Sequence, residues 1–139
     1  MSTPADVMKG LAAFLDEQGV AKYRETTAYQ PGEIPVTIKR LPANPDKAVA
    51  VTAYSTDDEL ILPVRTVYVQ FRFRAAGART DVDDFAEEVF DVLQGKHNFA
   101  LPNGVVVSRA RRVNAAPLGV DDNGRDERAD NYELIIQRP

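Results

Sequence analysis

Residues 67–74 read VYVQFRFR, and this stretch limits the folds open to the chain more than any other. Val67, Val69, Phe71 and Phe73 alternate with Tyr68, Gln70, Arg72 and Arg74. That is the period-two pattern of a β-strand with one face in a core. Such a strand needs a sheet covered on one side, because an apolar sheet face must pack against another layer. The polar set needs a separate account: it meets water, a ligand or another protein.

Two segments carry the helical period instead. In STPADVMKGLAAFLDEQG, Thr3 is placed to cap, Pro4 suits the first helical position, and Asp6 sits near the positive end of the dipole. Val7, Met8, Leu11, Phe14 and Leu15 share one side, and Gly19 is a stop. In AAGARTDVDDFAEEVFDVLQG, Thr80 is the expected cap, with Asp81, Asp83 and Asp84 in the first turn. Val82, Phe85, Ala86, Val89 and Leu93 form the apolar stripe, Phe90 lies beside it, and Gly95 ends the helix. Asp84, Glu87, Glu88 and Asp91 give that helix an acidic outer side.

Further extended runs are VAKYRETTAY, IPVTIKRL, AVAVTAY, VVVSRARRV and NYELIIQRP. In the last, Tyr132, Leu134 and Ile136 alternate with Glu133, Ile135 and Gln137. QPGE, PANPD and FALPNG read as turns, STDDELILP as a loop with an apolar tip, and NAAPLGVDDNGRDERAD as a long polar loop. The expected fold is therefore α+β: a mainly antiparallel β-sheet, two helices packed on one face, order αββββαββ, in one domain over residues 1–139.

The chain has 139 residues, 44% hydrophobic and 27% charged, as an ordinary globular domain does. It has no cysteine, which removes disulfides and thiolate metal sites and suits a reducing compartment such as a bacterial cytoplasm. A net charge of −4 disfavours nucleic acid as a general partner. No apolar run is long enough to predict a membrane span, and the opening residues lack the pattern of a signal peptide.

Candidate chemistry is sparse. His97 is the sole histidine, and neither Ser55 nor Ser108 sits in a nucleophile elbow. GVDDNGRDERAD superimposes on a calcium loop only with Gly119 at the first ligand position and Asp130 at the last, so a solvated hairpin turn at Asn123-Gly124 is the better reading. No glycine-rich phosphate loop is present. No enzyme activity and no cofactor are expected. What remains is surface. Arg72, Arg74, Arg109, Arg111 and Arg112 form a candidate basic patch, complementary to Asp84, Glu87, Glu88 and Asp91. Leu60, Ile61 and Leu62 either tuck into the core or contact a partner.

An opening amphipathic helix, then VYVQFRFRAAGARTDVDDFAEEVFDVLQG, FALPNGVVVSRARRV and APLGVDDNGRDERADNYELIIQ, together resemble the tail terminator and minor capsid (head–tail joining) proteins of tailed bacteriophages. The charged 117–130 loop departs from that pattern. The resemblance implies a sheet with helices on it and no catalytic residues. It also implies a ring, commonly of six subunits, at the head-proximal end of the tail. Such a ring ends tail-tube growth and docks on the head completion or stopper protein, and DNA passes through its hole without specific binding. The place of action would be the virion neck, with assembly in the host cytoplasm. The alternatives are another neck or head-completion protein, or, in a different class, a small α+β ligand-binding module with a concave pocket.

Overall fold

The computed structural model describes residues 2–138. In chain order the elements are α1 (Pro4–Glu17), β1 (Val36–Ile38), β2 (Ala48–Asp58), β3 (Val64–Ala75), α2 (Asp81–Leu93), β4 (His97–Ala100), β5 (Val106–Val120) and β6 (Asp126–Gln137). The six strands form one sheet in the order β1-β2-β3-β6-β5-β4. β1 runs parallel to β2, and every other neighbouring pair is antiparallel, so the sheet is mixed with a single parallel edge.

Local chemistry accounts for the helices. Thr3 accepts a hydrogen bond from the Asp6 amide while the Asp6 carboxylate accepts one from the Thr3 amide, a reciprocal capping box with Pro4 just inside it. That bonding holds the Asp6 carboxyl below its ordinary pKa. Thr80 does not cap α2 through its side chain, contrary to expectation: it has helical φ and ψ, so its hydroxyl is not aimed at the first free amides. Asp81 instead accepts from the Ala78 amide.

Strand registers place Val49, Val51, Val67, Val69, Phe71, Phe73, Tyr132 and Leu134 on one sheet face. These side chains join Val7, Leu11 and Leu15 of α1 and Phe85, Val89 and Leu93 of α2 in one buried cluster. Both helices therefore cover the same face. Phe71 meets Tyr132 edge-on at 5.4 Å, and Phe73 meets Phe85 at 5.2 Å. α1 passes so close to the 101–103 turn that a Cβ on Gly10 would sit 2.4 Å from the Asn103 Oδ1, which makes glycine the residue that fits there.

The element order is αβββαβββ, which corrects the expected αββββαββ. Residues 20–29 make no strand and contribute only a bridge between Lys22 and Pro35. Their groups bond locally: the Tyr23 amide donates to Asp16, Arg24 to Glu33, and the Tyr29 hydroxyl to the Val36 carbonyl. The missing strand is replaced by β4, which ends in the first two residues of the FALPNG stretch that reads as a turn. β2 extends four residues past the apolar run, to Asp58. The long polar loop is mostly not a loop. β5 continues to Val120 and β6 starts at Asp126, leaving a short turn in which Asp121 accepts from the amides of Asn123 and Arg125. On the β5 side few side chains reach the core and backbone pairing carries the ribbon, while Arg125, Arg128 and Asp130 tie its β6 side to the rest of the subunit.

Candidate assembly surfaces

The sheet face away from the helices carries Tyr68, Gln70, Arg72, Arg111, Asn131 and Glu133, and no helix covers it. Its polar groups bond across strands. Gln70 donates to Asn131 at 3.3 Å, Asn131 to Asn114 at 2.7 Å, and Arg72 to Glu127 at 2.8 Å. Arg109 and Arg111 both approach one carboxylate, Glu133, at 3.6 and 3.8 Å. Two cations over one anion leave this corner with excess positive charge, and both arginine side chains are more than half exposed.

The other two arginines of the expected patch lie elsewhere. Arg74 is 3% exposed and donates to the carbonyls of Asp46 and Pro45, which ties down the loop before β2. Burial pushes its pKa below the ordinary arginine value. Arg125 reinforces that anchor by donating to the Ala43 carbonyl at 2.8 Å. Arg112 lies on the helix side and pairs with Glu87 at 2.7 Å and with fully buried Asp130 at 3.2 Å. Its guanidinium also stacks over Phe90 at 4.0 Å. Arg128 completes the group, reaching Asp130 at 2.7 Å and Asp83 at 3.0 Å. Arg112 and Glu87, one residue from each of the two expected complementary patches, thus pair within one subunit and fasten α2 to β5. The Arg112 hydrogen bond holds the Glu87 carboxyl below its ordinary pKa. Sequence reading missed Arg128 and Asp130 as anchors because the segment looked like a solvated loop; read as a strand, their two-residue spacing puts both on one face, and that was the available signal.

On the outer side of α2, Asp84, Glu88 and Asp91 are exposed and make no ion pair among the described residues. They follow the i, i+4, i+7 spacing of one helical stripe. The acidic stripe and the arginine corner therefore occupy opposite sides of the subunit. At one end of the sheet, the β2–β3 hairpin projects Leu60, Ile61 and Leu62, which are 96%, 88% and 58% exposed. They are not part of the subunit's own core. The hairpin keeps its shape through the backbone: Glu59 accepts from the amides of Leu60 and Ile61, and the Val64 amide donates to the Leu62 carbonyl.

The groups considered for other chemistry are engaged in the fold or stand apart. His97 opens β4 on the surface, with its Nδ1 3.4 Å from the Gly95 carbonyl. The Asp121 carboxylate is bound by its own hairpin turn and by Arg125, and the Arg125 amide is the main cause of its lowered pKa. A cleft of about 430 Å³ beside β1 is lined by Lys9, Tyr23, Arg24 and Tyr29 among others, and its polar groups bond to one another and to the backbone. No cluster of three or more potential metal ligands occurs among the described residues, and no helix there is long and apolar enough to cross a membrane.

A small α+β domain with one bare sheet face, one acidic helix side and a protruding aliphatic hairpin has the surfaces of a protein that fits against other proteins. The family model of bacteriophage tail terminator proteins matches residues 14–138, and the chain belongs to that family. It is a structural component of the phage tail. No curated protein matches it.

Proposed function

We propose that this chain closes into a ring, six-membered as the family resemblance implies, on the head-proximal end of the tail tube. There it ends tube polymerisation and joins the tail to the head completion or stopper protein. The observation that carries the proposal is the family match over residues 14–138, joined to a hairpin tip of three exposed aliphatics. A closed ring needs heterologous contacts, in which one patch meets a different patch on the next copy. The subunit has such unlike patches: the cationic corner at Arg109 and Arg111, and acidic surfaces on α2 and at the β2–β3 hairpin. Charge complementarity of this kind sets orientation and partner choice more than affinity. An acidic surface left facing the hole repels phosphates, so DNA in transit is not held.

The test is the solution mass of the purified chain, together with its capacity to join tails to heads in an extract lacking it. A ring-sized mass and restored joining are expected. A chain that stays monomeric at its highest soluble concentration and restores no joining defeats the reading. Arg111→Glu is the cleaner charge reversal, because Arg72 is bonded to a Glu127 side chain that is only 11% exposed. Reversing Arg72 would damage the monomer as well. Arg111→Glu is expected to weaken ring formation at a cost to the monomer of about 1 kcal/mol or less, because Glu133 keeps Arg109 as a partner.

A further inference from the structure

We infer that successive subunits pair edge to edge, the free part of β2 in one copy adding as an antiparallel strand to the free part of β5 in the next. The inference rests on the ring reading and specifies where its copies meet. The sheet has two unsatisfied edges, on opposite sides. β1 covers β2 only at Val49, Ala50 and Val51, and beyond the Lys39 amide bonded to the Val51 carbonyl that side of β2 has no backbone partner among the described residues. β4 covers β5 only as far as Arg109, and the 94–96 segment bonds Ala110 and Arg112. From residue 113 to 120 the outer edge of β5 is likewise unpaired, and its residues are exposed. Apart from Pro117, which has no N–H to offer, this edge presents free backbone donors and acceptors, and such an edge is a template for another strand.

The two edges match in direction, length and facing. Counting across the antiparallel ladders from β2 through β3 and β6 to β5, β2 runs opposite to β5. A second copy set alongside in the same orientation therefore presents its β2 antiparallel to β5. Irregularities bound the usable stretches. Regular pairing resumes at Ser55 in β2 and ends at Asp58; in β5 it runs between the shifts at 112/114 and 117/119. Each stretch is four residues long, 55–58 and 114–117. Ser55 and Asp57 lie on the open face, as do Asn114 and Ala116. Continuing the face across the joint pairs Ser55 with Ala116 and Asp57 with Asn114, since a one-residue slip would turn every side chain over. In that register Val51, with Ile38 of β1 beside it, comes level with Val120 of the other copy, and the hairpin beyond Asp58 comes level with the 94–96 segment, so these two elements bound the joint and confine it to the short stretch between them.

Charge agrees with this register. Asp57 is exposed, has no ion pair among the described residues, and comes to lie diagonally across from Arg111, within reach of a long side chain. The excess positive charge of the Arg109–Arg111 corner thus faces an unpaired carboxylate. The α2 stripe is left free for the tube, the head partner or the hole.

The chain has no cysteine, which allows a clean cross-linking test. In the full chain, Asp57→Cys with Asn114→Cys, oxidised by copper–phenanthroline, is expected to give a ladder of disulfide-linked multimers ending at the ring size. Asp57→Cys with Ala115→Cys, which points to the other face, is expected to give none. Mass measurement without oxidant runs in parallel. Rings that form without a cross-link at 57/114 overturn the edge pairing and leave the ring standing. Absence of any multimer at the highest soluble concentration overturns both. As an independent readout, Asp57→Arg is expected to weaken assembly at least tenfold, and adding Arg111→Asp to restore it. Failure of the swap to restore assembly counts against the register.

Discussion

Replacing Leu60, Ile61 and Leu62 together by serine separates assembly from folding. The three side chains are 96%, 88% and 58% exposed, equivalent to about two and a half fully exposed aliphatic side chains. Burying each against a partner is worth roughly 1.5–3 kcal/mol, so a contact that covers the whole tip gains about 4–7 kcal/mol. Losing it corresponds to roughly three to five decades in the association constant. The cost to the monomer is of a different order. The hairpin is held by Glu59 and by backbone bonds at Leu62 and Val64, none of which needs an aliphatic side chain. Surface substitutions of this kind change stability by about 0.5 kcal/mol or less. The assay is a urea unfolding midpoint on the monomer beside tail-joining titrations of the same preparation. Unchanged folding with joining reduced a thousandfold or more is the expected pair of results. A stability loss above about 1.5 kcal/mol would mean the tip belongs to the subunit's own fold. Intact joining would mean that nothing packs on it.

Asp130→Ala should destabilise the fold by about 3 kcal/mol, the lower end for removing one partner of a buried ion pair, because Arg112 and Arg128 retain Glu87 and Asp83; a loss below about 1 kcal/mol in urea unfolding would show that the remaining carboxylates suffice. Acid should weaken the fold in a definite window. The hydrogen bond from Arg24 lowers the Glu33 carboxyl from 4.5 to about 2, and Arg112 lowers Glu87 in the same direction. A depressed folded-state pKa contributes stability above the ordinary value and loses it as pH falls through the folded one. Unfolding midpoints should therefore drop between pH 4.5 and 2, and Glu33→Gln should flatten that drop; an identical pH profile in the variant would remove Glu33 as a cause.

The sequence by itself determined the helices and the central strand. Their apolar periods are strong, and each period has one geometric solution: Val67, Val69, Phe71 and Phe73 are all fully buried, as are Tyr132, Leu134 and Ile136. It also determined the family, since VYVQFRFR leading into an acid-started helix is a pattern of local elements. It could not determine β4 or the outer half of β5. Those segments are specified by backbone pairing, and their side chains carry little of the alternation that burial imposes. The same limit applied to the arginines. Arg72, Arg74, Arg109, Arg111 and Arg112 look alike in one dimension. The tertiary structure buries Arg74 under a loop, sets Arg112 against α2 and leaves Arg109 and Arg111 in the open. Which charge a cation meets depends on what the fold brings within a few ångströms, and electrostatic energy at that range is a property of position that residue type does not encode.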